Sequence, residues 1–406
     1  MNVKELQTLV NPCCTTGKAI LFLLLSGGDP DAMKLAPYLD LSKISKSKEK
    51  QNTPPEILNC FKIGHIFRFN MNTSAALKSG KKTIIDLPCG YETRCFKVAN
   101  NGQRYYGFDL PIVADEMKEL TTKIITEEQK SLISFNAVDA TNYTSMRQAL
   151  KDVKGEICII VEGLIAYFNE SELISFCKAI HKLLSEFGGC CMTADGTGQM
   201  SGPIYSMIYK VIYPEKKEME ETLKQNIASF MSKFHSFDNP ICANGPEKAK
   251  EFLEKQGFII TEESAAKYID NIKGVPEDKE EELKKVLSEI KIWTLTINKK
   301  NDINNKEENV KFNLETKLID GVFNINIEGR LDTLTSPELL KIFKETDNIE
   351  GIKVNANKMT FISLAGIRVF EIMLKELKND DKLEIIEATE EIKQILENNG
   401  FKRYLK

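Results

Sequence analysis

The chain has 406 residues, of which 42% are hydrophobic and 28% charged, and this composition indicates a globular protein of two or three domains. Lysine and arginine number 55 against 59 acidic residues, giving a net charge of -4, so no basic excess points to nucleic acid as a partner. The apolar run from Ala19 to Leu25 is too short to span a bilayer and lacks signal-peptide flanks, so we expect a buried helix, no membrane partner and a cytoplasmic protein.

The ten cysteines are expected to serve as small buried apolar residues. No Cys-x-x-Cys pair occurs and only three histidines are present, so we expect no structural metal site. In a reducing cytoplasm we expect no disulfides either.

Apolar runs alternate with helical patterns in the first 300 residues. Strands are predicted at 83–87, 104–110, 132–140, 156–163, 188–196, 258–260 and 289–299. Helical spacing of apolar residues at 170–187 is the clearest of the intervening patterns. Strands separated by helices predict a doubly wound α/β sheet with right-handed crossovers.

Two regions of the first domain show no strand rhythm. Residues 1–75 and 200–240 are expected to be helical additions that cover the sheet as a lid. The asparagine-rich and charged segment 299–311 cannot bury much and predicts an interdomain linker. The predicted domains are therefore 1–298 and 312–406.

The segment after the linker predicts a small mixed α/β domain. Alternating apolar residues flank Asp320-Gly321, a strong hairpin signal. A helix with Pro337 in its first turn, a strand, a helix, a strand and a final helix closed by Gly400 follow.

Polar and small residues follow the first three predicted strands, where a doubly wound sheet binds its ligands. The turn after the first strand contains Gly90, which allows close approach of a ligand. Asp109 ends the second strand, 19 residues after Gly90, in position to accept hydrogen bonds from two ribose hydroxyls. Asp139 ends the third strand, in position to accept from an adenine amino group.

The turn after the first strand does not match a pyrophosphate-binding loop. Residues 86–94 read DLPCGYETR, whereas a dinucleotide site expects GxGxxG opening a helix. The segment around Lys18 also fails as a P-loop, since the leading glycine and the Ser/Thr after the lysine are missing. A cofactor with adenosine but no phosphate fits better, and S-adenosylmethionine is the obvious one.

Three motifs in order carry a family resemblance: DLPCGYETR at 86–94, FDLP at 108–111 and VEGLIAYF at 161–168. Together they resemble the leucine carboxyl methyltransferase-like group of class I methyltransferases. The resemblance implies a seven-stranded Rossmann-like sheet with a helical lid, S-adenosylmethionine as cofactor and S-adenosylhomocysteine as product. It also implies O-methyl transfer to a carboxylate or hydroxyl, on a small molecule or a protein carboxylate.

The resemblance also implies roles for individual residues. For the cofactor, these are the loop residues Asp86, Pro88 and Gly90, the turn anchors Thr93 and Arg94, the ribose ligand Asp109, the adenine contacts Asp139 and Ala140, and Arg68, or His65 instead, for the cofactor carboxylate. Pro88 replaces the first glycine of the family loop and removes one backbone donor.

Catalytic roles are implied for Glu162, which faces the methionine end or the substrate, and Tyr167, which lines the acceptor pocket. From the residues alone, three roles have structural alternatives: Asp109 as a surface acid, Glu162 as a helix cap and Arg94 as a solvated helix residue. No residue is singled out as a general base. His181 is expected to be solvated, while His235 and Asp195 remain alternatives.

Residues 322–339 and 359–370 resemble the STAS domain of anti-sigma factor antagonists. That likeness implies a protein-docking or dimerisation module whose docking surface is shaped by Asp332, Thr333, Gly366 and Arg368. Ser363 stands where the family has an acid, so Ser363 is either a helix cap or a displaced phosphorylation site.

We therefore predict an S-adenosylmethionine-dependent methyltransferase fused to a STAS module that binds a protein partner. The alternative is a non-catalytic protein that binds S-adenosylmethionine or S-adenosylhomocysteine and regulates through the STAS module.

Overall fold

The computed structural model describes residues 2–39, 53–200, 202–216, 218–234, 239–268, 275–298, 310–377 and 382–406. The chain divides into two compact units. The larger unit comprises Thr15–Asp109 and Val113–Asp302, and the smaller unit comprises Met1–Cys14, Leu110–Ile112 and Ile303–Lys406.

The larger unit is built on a seven-stranded mixed sheet. Its strands are β1 (Thr83–Leu87), β2 (Arg104–Asp109), β3 (Ile133–Ala137), β4 (Ile157–Val161), β5 (Gly189–Thr193), β6 (Phe258–Ser264) and β7 (Lys291–Ile297). They lie in the order β3-β2-β1-β4-β5-β7-β6. β1 to β5 pair in parallel, whereas β7 runs antiparallel to both β5 and β6.

Helices cover both faces of a sheet of this kind. The α-helices of the larger unit are α2 (Gly17–Ser26), α3 (Pro30–Leu35), α4 (Pro55–Lys78), α5 (Arg94–Asn100), α7 (Glu127–Lys130), α8 (Tyr143–Ala149), α9 (Glu170–Phe187), α10 (Pro203–Ile212), α11 (Met219–Phe234), α12 (Pro240–Ala243), α13 (Pro246–Lys255) and α14 (Glu280–Leu287). The helix α6 (Pro111–Thr122) belongs to the larger unit from Val113 onward, and α1 (Val3–Val10) belongs to the smaller unit.

The central strands are apolar because both faces of the sheet are covered. Every residue of β1 and of β4 is buried. Because β1 to β5 run parallel to one another, their carboxyl ends meet along one edge of the sheet. This carboxyl edge is where the predicted cofactor residues lie.

The expectation of a solvated His181 is wrong. His181 is 3% exposed on α9, and its ring lies 5.9 Å from the ring of Phe258. It follows Cys177 by four positions and precedes Leu184 by three, so it belongs to the apolar stripe of the helix. The alternating charges of this helix mask that register in the sequence.

The smaller unit contains a four-stranded sheet in the order β11-β10-β9-β8. Its strands are β8 (Asn313–Ile319), β9 (Val322–Leu331), β10 (Gly351–Ile362) and β11 (Leu383–Ile386), and its other helices are α15 (Ser336–Glu345), α16 (Leu364–Leu377) and α17 (Glu390–Asn398). β8 pairs antiparallel with β9 across the turn, where Asp320 has φ 47° and Gly321 φ 77°. β9, β10 and β11 are parallel.

The N-terminal helix α1 packs in the smaller unit, although we expected residues 1–75 to cover the sheet of the first domain. Leu6 and Val10 are 2% and 0% exposed and belong to one buried cluster with Leu339, Leu340 and Phe370. The larger unit is thus inserted in the chain between α1 and the rest of the smaller unit.

Nine cysteines are described as free thiols, and eight of them are buried. Within the described residues, no single helix is long and apolar enough to cross a membrane. One bent pair, Val3–Val10 with Pro12–Ser26, meets that test by length and composition alone. Residues 299–309 of the predicted linker lie outside the described residues.

Candidate functional site

The loop between β1 and α5 forms the floor of the carboxyl edge. The peptide between Leu87 and Pro88 is cis, and the next amide, that of Cys89, donates to Phe108 O of β2 at 2.9 Å. Gly90 has φ 52°, and a Cβ built on it meets no atom within 4 Å. The loop therefore bends sharply and leaves open space beside Gly90, as a loop that receives a ligand requires.

Arg94 is the centre of a buried charge network at this edge. Its side chain is fully buried; Nη1 lies 2.5 Å from Asp86 Oδ1, and Nη2 lies 2.5 Å from Glu162 Oε2. Its Nε donates to Thr73 Oγ1 at 3.1 Å. Arg94 therefore ties β1, β4 and α4 together and is not a solvated helix residue.

Glu162, at the end of β4, is surrounded by donors. Oε1 accepts from Arg68 Nε at 2.7 Å, while Oε2 accepts from Asn72 Nδ2 at 2.8 Å as well as from Arg94. The two guanidinium groups and the Asn72 amide outweigh the cost of burial and lower the pKa of Glu162. Glu162 is thus an ionised group that orients Arg68, and neither a cap of the following helix nor a proton donor.

Arg68 keeps part of its donor capacity. Nε is bound to Glu162, and Nη2 lies 3.5 Å from where a Cβ of Gly163 would be. Across the described ranges, Nη1 and Nη2 of Arg68 have no hydrogen-bond partner. A guanidinium held at Nε with two terminal nitrogens unused is arranged to receive a carboxylate. His65, the alternative for this role, is half-buried one turn earlier on α4.

Asp109 and Asp139 end β2 and follow β3, as predicted, but their side chains differ in setting. Asp109 is 8% exposed, and its Oδ2 accepts from the Gly90 amide at 2.7 Å. Asp139 is 1% exposed, and its Oδ1 accepts from the amide and hydroxyl of Thr141 at 2.7 and 2.5 Å. Asp109 therefore faces the loop at Gly90, whereas Asp139 stabilises its own turn.

Glu92 completes the network as a protonated acid. Its Oε2 lies 2.9 Å from Arg94 Nη2 but outside hydrogen-bond geometry. Burial, with Glu162 adding repulsion, raises the pKa of Glu92 to about 8. Burial also raises the pKa of Asp86, while Arg94 and the Tyr105 hydroxyl act to lower it.

Asp195, an alternative for the general base, and His65, the alternative to Arg68, both have other partners. Asp195 accepts from the amides of Gly163, Leu164 and Ile165 at 2.9, 3.0 and 3.3 Å and holds the loop after β4. Burial lowers the pKa of His65 to about 3, and its Nε2 lies 3.0 Å from the hydroxyl of Tyr205. His235 lies outside the described residues.

The remaining predicted residues border this edge. Tyr167 is half-buried in the 3-10 turn Ile165–Tyr167, and Ala140 is half-buried in the loop after β3. Thr93 precedes α5, and its hydroxyl donates to Asp29 Oδ1 at 3.1 Å. Their predicted cofactor and acceptor contacts stay predictions.

Four partners of the network were missed by sequence reasoning. They are Asn72, Thr73, Glu92 and Tyr105, whose hydroxyl donates to Asp86 Oδ2 at 2.8 Å. Asn72 and Thr73 lie four and five positions after Arg68, on a helix whose mixed polar pattern does not show which face is buried. Glu92 lies within the quoted motif and could have been identified there.

In the smaller unit, Ser363 caps α16. Its Oγ accepts from the amides of Ala365 and Gly366 at 3.1 and 3.3 Å, and the residue is 1% exposed. Asp332 similarly bonds within its own loop, accepting from Leu334 N at 3.1 Å. These bonds agree with the cap interpretation of Ser363.

Gly366 marks a close approach between α16 and β9. A Cβ at this position would lie 2.7 Å from Leu331 O and 2.8 Å from Ile362 Cγ1. Arg368, one turn after Ser363, donates through Nη1 to Val10 O at the end of α1. Thr333 O accepts from Asn11 Nδ2 at 3.3 Å. Two of the residues predicted for the docking surface therefore contact the N-terminal segment.

Comparison with known proteins identifies the C-terminal region. Residues 313–406 match the family model of the STAS domain. This chain is 29% identical over 96 residues to the anti-sigma-B factor antagonist of Staphylococcus aureus (strain NCTC 8325 / PS 47), an alignment covering 23% of this chain and 89% of that protein. The predicted STAS domain is confirmed.

Several solved structures align with part of this chain. A DUF574 family protein from Streptomyces avermitilis aligns over 60% of this chain and 86% of its own, with a TM-score of 0.39 and 12% identity. An O-methyltransferase family protein from Burkholderia thailandensis aligns over 69% and 73%, with a TM-score of 0.34 and 10% identity. The seven-stranded mixed sheet itself, with the separate four-stranded sheet, confirms the predicted Rossmann methyltransferase-like fold with an added STAS domain.

Proposed function

We propose that the larger unit is an S-adenosylmethionine-dependent methyltransferase that acts on an oxygen acceptor, and that the STAS domain binds a protein partner. The observation that carries this proposal is Arg68, whose Nε is fixed by Glu162 while its terminal nitrogens have no partner among the described residues. Such a donor pair suits the carboxylate of the methionine part of the cofactor.

The donor set of the carboxyl edge fits the other parts of the cofactor. The Asp109 carboxylate ends β2 and accepts a hydrogen bond from the Gly90 amide at 2.7 Å, so an acceptor for ribose hydroxyls stands beside the loop. The open space beside Gly90 admits a ligand close to the backbone. The loop lacks the GxGxxG pattern of a pyrophosphate-binding turn, which favours adenosine linked to an amino acid over a dinucleotide.

The cofactor supplies an activated methyl group, so this chain has to align the acceptor and exclude water. Arg94 and Glu162 hold Arg68 in place, and Asp195 holds the amides of Gly163 and Leu164. Glu162 stays ionised and bound to its donors, so its role is to position Arg68 rather than to transfer a proton.

The acceptor is proposed to be a carboxylate in preference to a hydroxyl. A carboxylate acceptor needs no base, whereas a hydroxyl does. Of the two described histidines, His181 is buried and His65 is half-buried, and the low pKa of His65 makes it a weak base. Tyr167 is proposed to line the acceptor pocket.

The same histidine environment favours a second candidate, a non-catalytic regulatory protein. Such a protein binds S-adenosylmethionine or S-adenosylhomocysteine without transferring a methyl group and acts through its STAS domain. The two candidates share the cofactor site and differ in turnover alone.

Isothermal titration calorimetry of the full chain with S-adenosylmethionine and S-adenosylhomocysteine tests the shared claim. We expect one site per chain, and Asp109→Ala should weaken binding at least about tenfold, because one charge-assisted hydrogen bond contributes about 1.5–3 kcal/mol. Asp115→Ala, an exposed acid on α6, is the matched control and should bind as the wild type does. Absence of binding by the wild-type chain would reject both candidates.

Transfer of a radiolabelled methyl group separates the two candidates. The methyltransferase predicts base-labile label in carboxylate acceptors of a metabolite and peptide extract, because methyl esters hydrolyse in base. Binding without any transfer would favour the non-catalytic protein.

A further inference from the structure

The N-terminal helix α1 lies on the part of the STAS domain that the family resemblance implies for docking. Leu6 and Val10, four positions apart, are buried against the smaller unit, in the same cluster as residues of α15 and α16. Leu9, which flanks this stripe on α1, is 42% exposed. The helix is therefore amphipathic, with one narrow apolar stripe placed between α15 and α16.

The end of α1 is held by polar contacts to the predicted docking residues. The Arg368 guanidinium donates to the carbonyl of Val10, at a helix end where carbonyls lack intrahelical partners. Asn11 is 5% exposed, and its amide donates to Thr333 O. A cation at a helix C-terminus is also favoured by the helix dipole. The STAS face thus recognises both the apolar stripe and the terminus of a helix.

The N-terminus of α1 is capped by side chains of the helix itself. The Asn2 side chain accepts from the Glu5 amide at 2.9 Å, and the Glu5 carboxylate accepts from the Asn2 amide at 2.9 Å. This capping box stabilises the first turn without help from the rest of the unit. Residues 12–16 then join α1 to α2 in the larger unit, so α1 is covalently tethered to both units.

We propose that the STAS face formed by α15 and α16 is a binding site for one amphipathic helix and that α1 is its resident occupant. A partner of the STAS domain competes for this face with a helix of the same pattern: two aliphatic residues four positions apart, and a free terminal carbonyl for Arg368. The claim about the partner rests on the docking role proposed above, whereas the claim about α1 concerns this chain alone.

The test is made on the full chain with a labelled peptide of residues 2–12 as the probe. Leu6→Asp places a charge in the apolar stripe and should release α1, whereas Leu9→Asp changes a leucine of the same helix that is 42% exposed and serves as the matched control. Burial of one leucine contributes about 1.5–3 kcal/mol, so the Leu6→Asp chain should bind the peptide at least about tenfold more tightly than the wild type. The Leu9→Asp chain should behave as the wild type does, because its tethered helix outcompetes the free peptide.

Two further measurements make the outcome decisive. Arg368→Ala in the Leu6→Asp background should weaken peptide binding, and a peptide carrying Leu6→Asp should not bind. Equal affinity of the wild-type and Leu6→Asp chains, or no binding by either, would overturn the proposal. Loss of the folded smaller unit in Leu6→Asp, seen by circular dichroism, would also overturn it, because α1 would then be a core element and not an exchangeable ligand. None of these results depends on cofactor binding or methyl transfer.

Discussion

The carboxyl edge of the larger unit and the capped turns of the smaller unit both bury polar side chains, but they connect them over different distances. Arg94 and Glu162 are 68 positions apart in the chain, and Arg68 and Glu162 are 94 apart. Ser363 and Asp332 instead accept from amides two or three positions away. A network that crosses strands can hold a ligand-binding guanidinium in place, whereas a local cap shapes the backbone of a surface.

Breaking the network at its centre should have the largest effect. Arg94→Met leaves the carboxylates of Asp86 and Glu162 buried without their shared partner, so we expect the larger unit to lose about 3–5 kcal/mol of stability. Urea unfolding followed by fluorescence measures this, because Trp293 is the single tryptophan of the chain and lies buried in β7.

The control for that variant is an ion pair near the surface. Arg147 Nε lies 2.6 Å from Glu186 Oε1, and the two side chains are 33% and 35% exposed. Arg147→Met should cost less than about 1 kcal/mol. Equal losses of unfolding free energy in the two variants would show that the Arg94 network stabilises the chain no more than a surface ion pair does.

Glu92 gives the network a dependence on pH. Its pKa is raised from an ordinary value of 4.5 to about 8, so between these values the folded chain holds a proton that the unfolded chain has released. The free energy of unfolding therefore falls, through Glu92, as pH rises from about 4.5 to about 8. Below and above this range Glu92 adds no dependence of stability on pH.

Glu92→Gln should remove that decline. At pH 8.5 we expect its melting temperature to exceed that of the wild type by about 3 °C or more, with a smaller difference at pH 5. Thermal unfolding across this range, followed through Trp293, is the measurement. Glu119→Gln, whose side chain is 70% exposed on α6, should follow the wild-type curve. A Glu92→Gln curve parallel to the wild type would contradict the raised pKa.

Removing the N-terminal cap of α16 should have a smaller effect on stability than the changes in the larger unit. Ser363→Ala removes the cap of α16 and should cost the smaller unit about 1 kcal/mol. Ser336 is the matched control, since it is equally buried at the start of α15 but its hydroxyl has no hydrogen-bond partner. Ser336→Ala should leave stability unchanged or raise it. Far-UV circular dichroism in urea measures both variants, and a neutral Ser363→Ala would remove the capping role.

Local patterns predicted most of the fold. The apolar runs predicted the strands of the seven-stranded sheet, and the Asp320-Gly321 pair predicted the hairpin. Both signals could be read because each depends on neighbouring residues in the chain. The position of α1 was not predictable in this way. Leu6 and Val10 pack against residues more than 300 positions away, and the short helix looks like any other amphipathic segment.

The site was predictable as a set of strand ends but not as a network. Motif order indicated Asp109 and Glu162, and the family resemblance offered Arg68 with His65 as its alternative. Arg94, by contrast, resembles a solvated helix residue until its three acidic neighbours are placed around it. The sequence also does not show that Asp139 and Asp195 bond to nearby backbone. Charge pairs across strands depend on topology, which a linear pattern does not contain.

The central claim is that the terminal nitrogens of Arg68 hold the carboxylate of the cofactor. Calorimetry of the wild type and Arg68→Met with S-adenosylmethionine and with its decarboxylated analogue tests it most directly. We predict that Arg68→Met weakens binding of S-adenosylmethionine at least about tenfold, as expected for loss of a charge-assisted pair, and changes binding of the decarboxylated analogue little. Equal losses for both ligands would contradict the assignment of Arg68 to the carboxylate.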